Sequence, residues 1–100
     1  MTNDADLPVV HNTAAKRFEI SLDGRIAFSK YFLVGEKIII EQTEVPIERE
    51  GKGIASRIVR TALDCARDQK LKVMPLCPFT VGFIHRHPEY QDLVLAGYRY

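Results

Sequence analysis

The segment from Gly51 to Arg60 combines small residues and positive charge in a spacing that suits anion binding. Gly51 and Gly53 lie two residues apart just before a helical pattern, and neither has a Cβ to block close approach to its backbone. The first amides of a helix are unpaired and stand at the positive end of its dipole, so a phosphate can dock there. Lys52, Arg57 and Arg60 add positive charge nearby. The segment therefore predicts an anion cradle built mainly from backbone amides.

The same pattern also suits an ordinary turn that leads into a core helix. Its spacing fits neither the dinucleotide-binding fingerprint nor the phosphate-loop lysine motif, because no third glycine follows in register and no Gly-Lys-Ser/Thr occurs. From spacing alone, both interpretations stay open.

Cys77 is the candidate nucleophile. It precedes Pro78, which places it at the expected N-cap of a helix, where the helix dipole favours a thiolate. A lowered pKa would make this thiol a competent acceptor for an acyl group. The alternative is a small buried hydrophobic residue at the end of a strand. Cys65 lies at the edge of the apolar face of the preceding helix and is predicted to pack.

The histidines and glutamates give weaker indications of chemistry. His85 and His87 titrate near neutrality and suit a general acid or base, but His87 is equally explained as a turn residue, and we favour the structural interpretation. Glu41 and Glu44, near the end of a strand, are interpreted as solvent-facing. A His-x-His pair without a second ligand cluster does not complete a tetrahedral site, so no metal is predicted.

Length and composition predict one domain over residues 1–100, frayed over 1–8 and 97–100. The net charge of +1 gives no reason to expect nucleic acid or an acidic membrane as a partner. Two cysteines without a Cys-x-x-Cys pattern indicate a reducing compartment. No signal peptide or membrane-spanning run is visible, so a cytoplasmic location is expected.

Alternating apolar residues and turn signals predict a series of strands. The strands are expected over 17–22, 25–34, 37–45 and 71–76, with a short edge strand at Val9 and Val10 before a turn at 11–13. Asp23-Gly24 predicts a type I′ hairpin turn, which needs positive φ at both central residues. Within the second of these strands, one face carries Ile26, Phe28, Phe32 and Val34, interrupted by Lys30. The run Ile38-Ile39-Ile40 suggests burial on both faces.

A long amphipathic helix follows the Gly51 turn and extends to about Gln69. Its apolar residues recur at helical spacing: Ile54, Ala55, Ile58, Val59, Ala62, Leu63 and Ala66. A helical crossover lets the strands before and after it lie parallel. A second helix is expected from Cys77-Pro78, and a short helical turn over 87–93. The predicted fold class is α/β, a curled and mostly antiparallel sheet with the long helix packed on it.

The segment Gly51–Ser56 resembles motif A of the GNAT acyl-CoA N-acetyltransferases, Gln/Arg-x-x-Gly-x-Gly/Ala. Glu50 stands at the first position of the motif, Gly53 at its first glycine and Ala55 at its last small residue. Glu50 departs from the usual Arg or Gln. The resemblance implies that backbone amides of the segment hold the pyrophosphate of acetyl-coenzyme A. The implied cofactor-binding residues are Val45, Ile47, Gly51, Lys52, Gly53, Ile54, Ala55 and Ser56.

Further blocks resemble a compact GNAT-like family of about 100 residues. They are Val10-His11-Asn12, Arg17-Phe18-Glu19, Asp23-Gly24, Thr43-Glu44-Val45-Pro46, Leu76-Cys77-Pro78-Phe79 and Arg86-His87-Pro88-Glu89-Tyr90. The resemblance implies a minimal GNAT-like fold in which the pantetheine arm pairs along Val45–Ile47 like an extra strand and the thioester points toward Cys77. The implied reaction is acetyl transfer to an amine of a small molecule or protein, directly or through acetyl-Cys77.

Two other functions are compatible with the same residues. One is a coenzyme A-binding sensor or interaction module without catalytic power. The other is a nucleotide- or phosphate-binding module that uses the same loop. The sequence names neither the acceptor nor the oligomeric state.

Overall fold

A five-stranded sheet organises the protein in a computed structural model that describes residues 6–100. The strands follow one another across the sheet in chain order, and adjacent strands among the first four are antiparallel. The elements are β1 Val10–Asn12, β2 Arg17–Leu22, β3 Arg25–Val34, β4 Lys37–Glu44, a 3-10 helix Ile47–Arg49, α1 Ile54–Asp68, β5 Lys72–Pro75, α2 Pro78–Arg86 and a 3-10 helix Pro88–Leu93.

The hairpin between β2 and β3 turns where the sequence predicts it. Asp23 and Gly24 have φ angles of 47° and 89°, as a type I′ turn requires. The predicted turn at 11–13 is wrong at its first two residues, because His11 and Asn12 belong to β1 and lie opposite Phe18 and Arg17. Pairing with β2 keeps them extended.

Helix α1 covers one face of the sheet and supplies much of the core. Its buried residues are those of the predicted apolar stripe, except for the half-buried Ala55: Ile54, Ile58, Val59, Ala62, Leu63 and Ala66. The helix carries the chain from β4 to β5, and these strands pair in parallel, as predicted. Phe83 and Ile84 of α2 join the same core cluster. Both helices therefore pack on the inner face of the sheet.

Ile26, Phe28, Phe32 and Val34 of β3 lie on the opposite, uncovered face. Phe18 and Ile20 point toward α1, and their partners Ser29 and Ala27 share that face and are buried. The pleat sends the alternate side chains outward, so Phe32 is 42% exposed. For the same reason the prediction that β4 is buried on both faces is wrong: Ile38 and Ile40 are buried, whereas Ile39 is only half-buried.

A register shift in β4 changes which side chains point inward near its end. Tyr31 lies opposite Ile40 and Lys30 lies opposite Gln42, so Glu41 is skipped in the pairing. This bulge resets the alternation and turns Thr43 toward the inner face, opposite the buried Ser29. The bulge therefore places a hydroxyl where simple alternation from Ile40 would have placed Gln42.

Strands β4 and β5 separate at this bulge. Their parallel pairing ends at Ile40 and Pro75, after which the amides of Leu76 and Cys77 both donate to the Ile40 carbonyl, at 3.0 and 3.2 Å. The sheet therefore opens between the end of β4 and the start of α2.

The prediction that both chain ends are frayed stays a prediction. Residues 1–5 of the expected frayed N-terminus lie outside the described part of the chain. In the expected frayed C-terminus, Tyr98 donates a hydrogen bond of 3.4 Å to the Pro75 carbonyl, and the Tyr100 ring contacts His85. No described helix is long and apolar enough to cross a membrane.

Candidate active site

A cavity of about 410 Å³ lies at the opening of the sheet, against the first turn of α1. It is lined by Thr43, Val45, Arg49, Glu50, Gly51, Gly53, Ile54, Ala55, Ser56 and Phe79. Six of the eight residues predicted to bind the cofactor belong to this lining, namely Val45, Gly51, Gly53, Ile54, Ala55 and Ser56. Residues that are apart in the chain, at a strand end and a helix start, therefore surround one cavity.

The two glycines give the cavity wall its backbone conformation. Gly51 and Gly53 have φ angles of 80° and 79°, in the left-handed region that side chains disfavour. A Cβ added at either position would meet no atom within 4 Å beyond its own chain neighbours. The glycines are therefore required by the turn rather than by crowding, and the space beside their backbone is open to a ligand.

The start of α1 is suited to hold an anion. Gly53 is the N-cap, and the first helical hydrogen bond runs from the Arg57 amide to its carbonyl, at 3.1 Å. The amides of 54–56 precede that bond, so they are the unpaired donors of the first turn. Among the described residues no side chain caps them, and the first turn carries no acidic residue. The positive end of the helix dipole is therefore available to a phosphate.

Ile47 and Lys52 are the two predicted cofactor-binding residues that do not line the cavity. Ile47 is 82% exposed and lies in the 3-10 helix that follows Pro46. There the Arg49 amide donates to the Pro46 carbonyl at 2.8 Å, so the backbone is curled. The predicted extended pairing along Val45–Ile47 is therefore wrong at Ile47. Lys52 is exposed in the turn.

Arg57 and Arg60 of α1, which the sequence suggests as nearby positive charges for the anion, do not reach the cavity. Arg57 donates to the Leu7 carbonyl, and Arg60 lies over the rings of Phe83 and Tyr90, at 5.4 and 5.7 Å from their centroids. Neither residue lines the cavity. The arginine at the cavity is instead Arg49, whose guanidinium forms an ion pair of 2.7 Å with Asp23 of the β2–β3 turn.

Sequence reasoning missed Thr43 and Arg49 as cavity residues. Thr43 reaches the cavity because of the bulge at Glu41, for which the sequence carries no local signal. Arg49 reaches it through the 3-10 helix, and its positive charge two residues before Gly51 was the available signal.

Cys77 lies behind the wall of the cavity, as the N-cap of α2. Its side chain is buried, with 5% of the residue exposed, and it contacts the lining residues Thr43 and Phe79. Burial is the largest influence on the thiol and raises its pKa. The Thr43 hydroxyl, the Thr80 and Phe79 amides and the Thr80 hydroxyl are donors that favour the ionised sulfur, and together they outweigh burial, so the pKa of Cys77 lies below its ordinary value of 9.0. The thiol is thus set up to ionise.

The remaining candidates for chemistry have structural surroundings. His87 Nδ1 lies 2.8 Å from the Phe83 carbonyl, and its ring stacks on Phe83 at 4.0 Å, in agreement with the structural interpretation. Glu41 and Glu44 are exposed, and Cys65 packs against the core, both as predicted. Within residues 6–100, no three His, Cys, Asp or Glu side chains gather in a way that would hold a metal ion.

The fold and the cavity together define a class of α/β protein. Its sheet opens where the parallel strands β4 and β5 separate, and the opening lies beside a glycine turn and a helix start without a side-chain cap. Comparison with known proteins identifies the family. A family model described as GCN5-related N-acetyl-transferase matches residues 17–93, and the chain belongs to that family.

Individual relatives agree with this assignment. Protein NATD1 of Danio rerio is 31% identical over 94 residues, which cover 89% of this chain and 86% of the relative. Protein NATD1 of Homo sapiens is 30% identical, over 80% and 74% of the two chains. A Staphylococcus aureus protein solved by NMR and described as a GCN5-like candidate N-acetyltransferase has a TM-score of 0.67. It is 23% identical and covers 91% of this chain and 90% of its own, so it supports the GNAT fold.

Proposed function

We propose that this protein binds acetyl-coenzyme A and transfers its acetyl group to an amine, with Cys77 as the intermediate acceptor. The observation that carries the proposal is the cavity at the start of α1, whose wall joins the Gly51–Gly53 turn to the two residues in contact with Cys77. The family supports the same class of reaction. We also propose a cytoplasmic protein, since both thiols are unpaired.

The lining residues fit the parts of acetyl-coenzyme A. A volume of about 410 Å³ is in the range of small-molecule sites. The uncapped amides of 54–56 suit the pyrophosphate, because they offer several donors at the positive end of a helix. Beyond Ile40, β4 no longer pairs with β5, so its edge on that side, up to Val45, is open to an extended pantetheine arm. Pro46 donates no hydrogen bond and limits that pairing.

In the proposed reaction Cys77 acts as a thiolate. Its sulfur forms a bond to the carbonyl carbon of the thioester, the bond from that carbon to the coenzyme A sulfur breaks, and coenzyme A leaves with the proton that Cys77 had released. An amine nitrogen then bonds to the acetyl carbon of acetyl-Cys77, Cys77 leaves again as a thiolate, and the amine loses a proton to solvent. The acetyl group thus moves from sulfur to sulfur to nitrogen.

Thermal unfolding with and without acetyl-coenzyme A tests the cofactor and its loop together. Ligand at a hundred times its dissociation constant adds about 2.7 kcal/mol of stability, which is visible as a rise in melting temperature. Gly53→Val should lose this rise, because valine disfavours the φ of 79° and places a side chain in the open space beside the helix start.

Gly35→Val is the matched control. Gly35 also has a positive φ, of 60°, with open space beside it, but it lies in the β3–β4 turn and does not line the cavity. Both variants should have a lower melting temperature without ligand, and Gly35→Val should keep the ligand-induced rise. Absence of a rise in the wild type at millimolar ligand would overturn the proposed cofactor. A rise without acetyl transfer to any amine would favour a coenzyme A-binding module over an enzyme.

A further inference from the structure

The Thr80 hydroxyl is a buried polar group without a hydrogen bond. Thr80 is completely buried, and its Oγ1 has no hydrogen-bond partner in the part of the chain that the structure describes. Leaving such a group unpaired costs roughly 1–3 kcal/mol, and proteins tolerate it mainly where the group has another use. The position of Thr80 therefore calls for a functional explanation.

Thr80 lies in the first turn of α2, beside the sulfur of the N-cap residue. The first helical hydrogen bond of α2 runs from the Val81 amide to the Cys77 carbonyl, at 3.0 Å. Thr80 is the third residue of α2 after the N-cap, and its hydroxyl and amide and the amide of Phe79 are donors that favour the ionised form of the Cys77 thiol. One helical turn thus supplies three donors beside one buried sulfur.

A fourth donor comes from the sheet. The bulge at Glu41 turns Thr43 inward, and its hydroxyl contacts the thiol of Cys77. Behind it, the Thr43 hydroxyl donates to the Oγ of the buried Ser29 at 3.1 Å. Both hydroxyls can donate and accept, so a reversed bond, with Ser29 as the donor, leaves the Thr43 hydrogen for the ionised sulfur.

We infer that Thr80 is a positioning residue that holds Cys77 as a thiolate, together with the Thr43 hydroxyl and the first amides of α2. A neutral thiol is a weak acceptor, which explains why Thr80 has no well-formed hydrogen bond while Cys77 is protonated. A thiolate accepts several stronger, charge-assisted hydrogen bonds. The Thr80 hydroxyl, which has no partner while Cys77 is protonated, thus gains a hydrogen bond to the sulfur when Cys77 is ionised.

The groups that face the sulfur are neutral donors. The first turn of α2 carries no acidic residue, β4 contributes Thr43, and the charged residues of the adjacent cavity wall are Arg49 and Glu50, of opposite sign. The inference deepens the proposed function, since it specifies what keeps the acyl acceptor ionised. It does not depend on acetyl-coenzyme A, so it is tested without it.

The test is a pH titration of the thiolate, followed by its far-ultraviolet absorbance. The chain has two cysteines, so in a Cys65→Ser background Cys77 is the remaining thiol. Thr80→Val keeps the side-chain shape and removes the donor. We expect the midpoint of the Cys77 titration to rise by about one pH unit, the size expected for one lost hydrogen bond to a charged group. Thr43→Val should raise it too, and Thr80→Ser should restore it.

Thr61→Val is the matched control. Thr61 is also a helical threonine, but its hydroxyl donates to the Arg57 carbonyl at 2.9 Å, away from Cys77. This variant should titrate at the midpoint of the parent. Thr80→Val should also raise the melting temperature at pH values where Cys77 is neutral, because it removes a buried hydroxyl that has no partner there.

An unchanged midpoint in Thr80→Val, or an equal rise in Thr61→Val, would overturn the inference. If Thr80→Val does not fold, a titration of Thr80→Ser that differs from the parent, or of Thr43→Val that does not, would also overturn it. A protein that fails to bind acetyl-coenzyme A but shows the expected shifts would refute the proposed function and leave the thiolate site standing.

Discussion

The two cysteines have opposite environments: Cys77, the N-cap of α2, lies behind the cavity at the start of α1, and Cys65 lies near the end of α1. At the N-terminal end, Cys77 faces amide and hydroxyl donors behind a cavity, and its pKa is lowered. At the C-terminal end, Cys65 in the last turns of α1 is half-buried, and burial, followed by the nearby Asp68 carboxylate, raises its pKa. Burial is the largest influence on both sulfurs and raises the pKa of each, so burial alone does not explain why their pKa values shift in opposite directions. The difference lies in whether donors or a negative charge surround the sulfur.

Another cavity, of about 440 Å³, lies at the Cys65 end, and burial disfavours the charged forms of His11, Tyr31 and Cys65 in its wall. His11 Nε2 lies 2.6 Å from the Tyr31 hydroxyl, and the His11 ring stacks on Phe18 at 4.1 Å. Burial lowers the pKa of His11 and is the main cause that raises the pKa of Tyr31. A cavity lined by titratable side chains therefore does not by itself favour an ionised group; at Cys77 the neighbouring hydrogen-bond donors do so.

The largest expected effect is a difference between the two cysteines in acetylation. After incubation with acetyl-coenzyme A, mass spectrometry should find a hydroxylamine-labile acetyl adduct in the wild type and in Cys65→Ala, and none in Cys77→Ala. Cys77 lies behind the cavity rather than in its lining, so its loss should leave coenzyme A affinity nearly unchanged. A persistent adduct in Cys77→Ala would exclude the acetyl-Cys77 intermediate and leave direct transfer.

A smaller effect concerns the negative charge at the cradle. Glu50 lines the cavity at the motif position where Arg or Gln is usual. Glu50→Gln should tighten coenzyme A binding roughly two- to fivefold, since a charge near a helix terminus contributes about 0.3–1 kcal/mol. Calorimetry should find that the gain shrinks at high salt.

Glu36→Gln provides the control for this prediction. It makes the same charge change in the exposed β3–β4 turn, away from the cavity, and should leave affinity unaltered. An equal gain in both variants would mean that net charge, rather than the position of Glu50, controls binding.

The smallest expected effect is a pH dependence of stability at the Cys65 end. Because burial lowers the pKa of His11, the unfolded chain takes up this proton at a higher pH than the folded protein. The contribution of His11 to stability is therefore present above pH 6.5 and is lost as the pH falls from 6.5 through the lowered pKa. Urea unfolding midpoints of the wild type and His11→Gln should run parallel above pH 6.5 and diverge below it. Parallel midpoints throughout would contradict this assignment.

Local sequence signals account for most of the fold. Asp23-Gly24 predicted its turn because positive φ at two successive residues is a local requirement, and the stripe from Ile54 to Ala66 predicted the buried face of α1 because helical spacing is regular. The β1 residues His11 and Asn12 were predicted wrongly, since only the partner strand keeps them extended.

For the site, the chain alone determined the glycine turn, the helix start and the N-cap position of Cys77, because each depends on residues that are neighbours in sequence. The tertiary structure decided which groups meet. The bulge at Glu41 turns Thr43 toward the inner face. The 3-10 helix after Pro46 keeps Ile47 out of the cavity lining and places Arg49 in it. The packing of α2 buries Thr80 near its N-cap residue Cys77. Strand register and helix packing depend on residues that are distant in the sequence, so no local sequence pattern predicts them.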